Sequence, residues 1–323
     1  MLKRVFIIIS IFCYGYSLAQ FHGIAGSAST NAIHADSSVF VAWAKSCKIT
    51  RGYQDISNTP MGYASVGDST FALGKADASV VSLGDAGVAI VTFSAPVTNG
   101  PGYDFAVFEN SFNHTFLELA FVEVSSDGIN YVRFPAVCNL QDTLQYDNAA
   151  VMDASKINNL AGKYGVNYGT PFDLQELSGN SLIDINSVTH LKIIDVVGSL
   201  NLAYARYDSN NHIINDPWPT PFNSSGFDLD AVGVINQKAV GINETNLSSE
   251  RVVIYPNPAN NSIYFKNYGN CNECDFQITN CMGNVMLEGK LQGEIDLSSL
   301  TSGVYFVSII SKDGKLTKKL IKQ

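Results

Sequence analysis

The sequence predicts an all-β protein in two parts: a jelly-roll-like β-sandwich with one short helix, then a smaller Ig-like β-sandwich. Three observations lead there. Of 323 residues, 46% are hydrophobic and only 15% charged, with 26 glycines, a balance suited to short strands between tight turns. The stretch from Gly102 to Phe134 holds three short runs rich in Phe, Val and Tyr, residue types that fit a half-buried pleated surface. The last seventy or so residues alternate apolar and polar positions between turn signals, the two-residue period of strands.

The three runs of the central block are Asp104–Phe108, Leu117–Val124 and Tyr131–Phe134. Asp127-Gly128 between the last two is a hairpin signal, because glycine accepts positive φ and aspartate tolerates it. The block therefore reads as consecutive antiparallel strands at the centre of one sheet. Asp104, Glu109 and Glu123 lie inside these apolar runs. A buried, unpaired carboxylate is costly, so they point outward or something positive sits among them.

Residues 1–20 read as a cleaved signal peptide: Lys3 and Arg4, then an apolar run, then Ser17-Leu18-Ala19 with cleavage near Ala19. A lipid anchor on Cys13 is the alternative, but Ser10-Ile11-Phe12 lacks the small residue needed before the cysteine. No other stretch approaches a transmembrane length, so the expectation is not a transmembrane protein.

The first domain is expected over 21–236. Ser38–Ala44 reads as a strand or short helix, Val88–Phe93 and Val188–Val197 as strands, and Asp153–Tyr164 as the helix. Asp153 stands as its N-cap, with Ile157, Leu160 and Ala161 on one face. Asp216–Pro221 contains three prolines and must be a fixed extended loop. Gly226–Val232 starts the closing strand. Residues 237–250 are polar and without periodicity, a linker, and 251–323 form the second domain.

The net charge of −9 argues against nucleic acid and anionic membrane surfaces as partners and suits cations. Catalytic signatures are missing: there is no Gly-x-Ser-x-Gly, His-Glu-x-x-His or phosphate loop. His22, His34, His114, His190 and His212 are scattered, without metal-ligand spacing. Paired carboxylates do occur, Asp104 with Glu109, Glu118 with Glu123, and Asp228 with Asp230. Such pairs serve glycoside hydrolysis when they face each other across a cleft, or they simply face solvent. A third reading is a structural calcium ion on Asp104, Glu109, Asp228 and Asp230, since calcium takes six to eight oxygen ligands. Asp228 and Asp230 fall on one strand face, with Leu229 and Ala231 toward the core. Tyr204, Tyr207, Trp218 and Phe222 lie in a segment rich in Asn, Asp and Pro, as a sugar-binding face requires. Trp218 and Phe222 folding inward to pin the loop is the competing reading.

Six cysteines are present, and five remain once Cys13 leaves with the signal peptide. An odd number leaves at least one thiol unpaired or paired between molecules. Cys271-Asn272-Glu273-Cys274 suits a metal or redox pair by spacing, but with no second pair and no nearby histidine a local disulfide is the preferred reading. Pairing among Cys47, Cys138, Cys271, Cys274 and Cys281 stays open.

Phe121–Phe134 (FVEVSSDGINYVRF) resembles the strand–turn–strand of discoidin-like, galactose-binding jelly rolls. Leu191–Gly198 followed by Phe227–Ile235 agrees with that. The resemblance implies a jelly roll, in which a structural calcium is common. Residues 25–236, through DFAVFEN, ELAFVEVSSDG, AGKYG, TPFDL and GFDLDAVGV, also resemble a family of bacterial cell-surface proteins that supplies no activity. The chain's end closely resembles the type A C-terminal sorting domain of the type IX secretion system of Bacteroidota. The matching phrases are YPNPA (Tyr255, Pro256, Asn257, Pro258, Ala259), DLSSLTSGVYFV with Gly303 and Tyr305, and the finish KLTKKLIKQ with Lys318 and Lys319. This resemblance implies export through the periplasm by the type IX machinery, ending secreted or on the outer cell surface.

The function these readings favour is a non-catalytic secreted or surface protein that binds a glycan or other surface ligand. A secreted glycosidase-like hydrolase using paired carboxylates and a structural adhesin domain binding protein are the alternatives.

Overall fold

The buried strands β6 (Phe105–Glu109) and β14 (Asp228–Val234) of the first unit pair across more than a hundred residues, and that pairing sets where the carboxylates meet. The computed structural model describes residues 21–238, 253–266, 274–291, 293–311 and 314–323. Residues 1–20, the expected signal peptide, and residues 239–250 of the expected linker fall outside them. The chain forms two units, residues 1–238 and 239–323.

In the first unit the strands are β1 (Ile33–His34), β2 (Ala42–Trp43), β3 (Ser46–Thr50), β4 (Val81–Ser82), β5 (Val88–Val97), β6 (Phe105–Glu109) and β7 (Ala120–Ser125). They continue as β8 (Val132–Arg133), β9 (Val137–Cys138), β10 (Ile157–Asn158), β11 (Leu160–Ala161), β12 (Tyr168–Phe172), β13 (Val188–Asp195) and β14 (Asp228–Val234). One antiparallel sheet runs β1-β12-β6-β14-β2, with β4 also on β14. The other runs β11-β7-β13-β5-β3, with β8 also on β7. Phe105, Val107, Phe172, Leu229, Val232 and Val234 of the first sheet pack on Val91, Val122, Val124, Leu191 and Ile193 of the second. The architecture is the all-β sandwich that the composition predicts.

The central block is divided between the sheets. β6 lies in one and β7 in the other, so the three runs are not neighbours in one sheet. β6 is buried at all five positions: Phe105 and Val107 enter the main core, while Ala106 and Phe108 pack with Ala35 and Ala231 against Phe40 and Trp43. A strand buried on both faces belongs mid-sheet, and β12 and β14 flank it. Of the three runs, the last two alone form a hairpin, β7 with β8. In its turn Asp127 Oδ1 accepts from the amides of Ile129 and Asn130, both at 2.8 Å, and Gly128 takes φ +74°.

The helix expected over Asp153–Tyr164 reduces to one 3₁₀ turn, Ala154–Lys156. Asp153 caps it as expected, accepting from Ser155 N at 3.0 Å. The chain then turns extended, because Ile157 pairs with Cys138 and Leu160 with Phe121, and both enter a second apolar cluster. Strand pairing and burial override the helical spacing. The expected strand or helix at 38–44 is the two-residue β2.

The register of β14 on β6 shifts between Leu229 and Ala231. This bulge sends Leu229 into the main core and Ala231 into the outer cluster with Phe108. Simple alternation put Leu229 and Ala231 on the same side, and the inserted residue, Asp230, is the reason that fails.

The second unit comprises β15 (Val253–Tyr255), β16 (Ser262–Lys266), β17 (Asp275–Asn280), β18 (Val285–Lys290), β19 (Glu294–Asp296), β20 (Gly303–Ser311) and β21 (Gly314–Lys322). Its sheets run β15-β16-β19 and β18-β17-β20-β21. Strand alternation holds: Ile263 and Phe265 are buried and Tyr264 between them is exposed. They join Ile278, Leu297, Val307 and Leu320 in the core. Cys274 is disulfide-bonded. Cys47, Cys138 and Cys281 are free thiols, and Cys271 is outside the described residues.

Candidate functional site

β6 ends at Glu109, and the register sets Glu109 opposite Leu229, next to Asp228 at the start of β14. The loop after β6 then brings Asn110, Ser111, Phe112 and Phe116 around an open cavity of about 530 Å³, with Glu118 also on its wall. Thr220, Phe222 and Ser224 close a further side. Three carboxylates from two strands and a loop thus share one cavity. Among the described residues no Lys, Arg or His lines it.

Glu109 is 1% and Asp228 8% exposed. Glu109 Oε2 accepts from Ser111 N at 2.8 Å. Glu109 Oε1 and Asp228 Oδ1 are buried and have no hydrogen-bond partner. Burial raises the Glu109 carboxyl well above its ordinary value, and the Asp228 charge adds to it. Glu118 is raised in the same way by burial, then by Glu109 and Asp228. Burial pushes Asp228 up to about 6, with the Ser82 hydroxyl and then the Arg51 charge acting in the opposite sense. The Arg51 guanidinium is itself held by the carbonyls of Val66, Gly67 and Ser82.

Behind Glu118 and Thr220 lies a void of about 10 Å³, bounded also by Asp85, Asp195 and Asp216. These carboxylates are struts for loop backbone. Asp195 accepts from Phe227 N at 2.7 Å and Ala86 N at 2.9 Å. Asp216 accepts from Leu119 N at 2.7 Å. Asp85 accepts from Ile56 N at 2.7 Å and from Trp218 Nε1 at 3.1 Å. Burial pushes Asp85 up to about 6 and, with the nearby Asp85 charge, Asp195 up to about 8.

The carboxylate quartet expected to hold calcium does not converge. Asp104 precedes β6 and Glu109 ends it, so the strand separates them by about 17 Å at ~3.4 Å per residue. Asp104 accepts from Gly100 N, Leu174 N and Asn236 Nδ2 at 2.7–2.9 Å. Both Asp230 oxygens accept backbone amides, of Asp77 and Ala78 at 3.1 Å. Only Glu109 and Asp228 keep a free oxygen, too few for an ion needing six to eight. Among the described residues no three His, Cys, Asp or Glu side chains are placed to hold a metal ion. These residues do not fit calcium.

The expected acidic pairs also separate. Glu123 is held outside the cavity by Arg133 and Lys192, each at 2.8 Å, the positive partners its position in an apolar strand called for. Glu118 instead joins Glu109 and Asp228. Of the aromatic quartet, Tyr204 and Trp218 meet at 6.1 Å between ring centroids, with Trp218 half-buried. Phe222 reaches the cavity, 53% exposed. Tyr207 bridges Ile213 in a separate small hairpin. Phe112, 79% exposed, was missed at the sequence level. Its only signal was an aromatic pair, Phe112 and Phe116, in a polar loop; the rings stack at 5.7 Å.

In the second unit Tyr255-Pro256 and Asn257-Pro258 are cis. Asn257 bonds the backbone of β21 at Lys319 and Ile321. Tyr305 is buried and donates its hydroxyl to Thr301 O at 2.9 Å, and the side chains of Lys318 and Lys319 are exposed. Among the described residues no helix is long and apolar enough to cross a membrane.

No curated protein matches this sequence. Among solved structures, one described as "Biofilm associated protein - BSP domain" aligns at 11% identity over 88% of this chain and 52% of that chain. This chain thus spans about half its length, and the TM-score of 0.19 gives no basis for transferring fold or function. Residues 253–323 match the family model described as "Secretion system C-terminal sorting domain", so the chain ends in a sorting tail that implies contact with the type IX secretion machinery and export to the cell surface or beyond.

Proposed function

We propose that residues 21–238 form a non-catalytic binding domain, delivered by the sorting tail, that takes a glycan or another surface ligand in the cavity of Glu109, Glu118 and Asp228. The observation that carries this reading is the pair of buried acceptors, Glu109 Oε1 and Asp228 Oδ1, left without donors on the wall of an open cavity. Buried polar atoms are nearly always satisfied, so an unsatisfied pair beside a cavity invites a ligand that donates. Phe112 and Phe222 offer exposed rings beside it.

A hydrolase is the second reading. A glycosidase needs one carboxyl kept protonated and another kept ionised by contrasting surroundings. Here burial raises Asp228 to about 6 and lifts Glu109 and Glu118 well above their ordinary values, so turnover is the outcome that separates the two readings. The test is a glycan array with the full chain and with Glu118→Gln and Phe222→Ser. Retention by the full chain, lost in both variants, is expected. Retention that ignores both substitutions, or turnover of the bound glycan, would overturn the reading.

A further inference from the structure

We propose that the ligand of this cavity is an amine-bearing saccharide, its ammonium set among Glu109, Glu118 and Asp228 and its ring against Phe112 and Phe222. This rests on the cavity being the binding site.

The charge balance is the first argument. Three carboxylates share the wall, and among the described residues no cationic side chain lines it. Arg51, whose charge reaches Asp228, is itself engaged by the carbonyls of Val66, Gly67 and Ser82. A neutral ligand could supply hydrogen bonds to Glu109 Oε1 and Asp228 Oδ1 but would leave protonation as the only relief of the crowded negative charge. An ammonium supplies both, with three donors and one positive charge.

Size and shape are the second. A metal ion needs its oxygens within about 2.6 Å, and no such convergence exists among the described residues. The cavity of about 530 Å³ lies within the range of organic-ligand pockets. The third argument is the remaining lining. Asn110, Asn148, Ser224 and Thr220 add amides and hydroxyls that a simple alkyl amine would leave unused and that sugar hydroxyls would engage. The phenyl rings cover C–H faces and attract a nearby cation.

The experiment is calorimetric titration of the full chain at pH 7 with four probes: a glucosamine tetramer, its fully N-acetylated form, a glucose tetramer and spermidine. The glucosamine tetramer is expected to bind at least about tenfold more tightly than the other three, a margin of roughly 1.4 kcal/mol. Glu118→Gln should erase most of that margin, while its melting curve reports whether the variant is folded. Phe222→Ser, at an exposed position, should weaken the tetramer without altering the melting curve. Equal binding of the acetylated or glucose tetramer would overturn the cationic class and leave the site reading intact. Spermidine binding as tightly as the tetramer would overturn the saccharide. Binding insensitive to both substitutions would place the ligand elsewhere. No binding by any probe, with a blank glycan array, would remove the site reading as well.

Discussion

Asn257 holds the last strand of the chain at Lys319: its Nδ2 donates to the Lys319 carbonyl at 2.8 Å, and its Oδ1 accepts from Ile321 N at 2.9 Å. The YPNPA phrase and the lysine-rich finish, separated by some sixty residues of sequence, are therefore one structural feature. The amide matches an edge of β21 as a backbone strand would. Ala259 extends the contact, donating to Ile321 O at 2.8 Å.

Asn257→Ala should loosen this edge. Two exposed hydrogen bonds are lost, each contributing about 0.5–1.5 kcal/mol net. Hydrogen exchange should show faster exchange at Ile321, with the β17 amides unchanged. Unchanged protection at Ile321 would mean the side chain is dispensable there. Deleting residues 251–323 should leave the remaining chain in the periplasm of a type IX-competent host, which cell fractionation would report. Normal surface delivery of the truncated chain would contradict the sorting role.

Stability of the first unit should fall as pH rises from about 4 to 8. Unfolded carboxyls titrate near 4, whereas Asp85 and Asp228 are pushed up to about 6 and Asp195 to about 8 by burial. Between those values the folded state holds more protons than the unfolded one, so raising the pH costs stability until each folded value is passed. Asp228→Asn should remove the part of the slope between about 4 and 6. That part is on the order of 1–3 kcal/mol, or some 2–4 °C of melting temperature per kcal/mol. Calorimetric melting of both chains from pH 4 to 8 checks it, and a parallel pair of curves would reject it.

Below that window Glu123 acts with the opposite sign. Burial raises its carboxyl, but hydrogen bonds from Lys192 and Arg133 outweigh this and leave it below its ordinary value. Its contribution is present above about pH 4.5 and fades as pH falls through the folded value. Arg133 also lies over the Phe121 ring at 4.0 Å, and Lys192 over Tyr131 at 3.7 Å. Glu123→Gln should lower the melting temperature at pH 7 and lose its effect near pH 3. An equal effect at both values would show that shape, not charge, matters there.

Trp218 should report the state of Asp85. The chain has two tryptophans, and Trp218 Nε1 donates to Asp85 Oδ2 at 3.1 Å. In a Trp43→Phe background the fluorescence is expected to change with a midpoint at about 6, the value to which burial pushes Asp85. Asp85→Asn should abolish the transition. Persistence of the midpoint in that variant would assign it to another group.

Gly128→Ala should destabilise the β7–β8 turn by about 1–2 kcal/mol, the cost of the left-handed conformation for a residue with a side chain. Gly128 has φ +74°, and an added Cβ would sit 2.8 Å from His190 Cε1. Chemical denaturation would measure it. A neutral outcome would mean that the turn relaxes to another type.

Local signals in the sequence were enough for the all-β class, the Asp127-Gly128 turn, the Asp153 cap and the sorting tail. Each depends on residues within a few positions of one another: alternation along β16, positive φ at Gly128, a carboxylate two residues before the amide it accepts. The need of Glu123 for a positive partner was legible too, since an apolar strand does not leave a carboxylate uncompensated. Which carboxylates meet was decided only in three dimensions. Glu109 and Asp228 become neighbours because β6 and β14 pair across more than a hundred residues, and Glu118 joins them from the loop that crosses to the other sheet. Asp104 and Asp230, equally acidic and close by in sequence, are drawn off to backbone amides, one by the far end of β6 and the other by a bulge. A bulge shifts register by one residue, and a strand's period is two, so that single inserted residue separates Asp228 from Asp230 where alternation alone would keep them on one face.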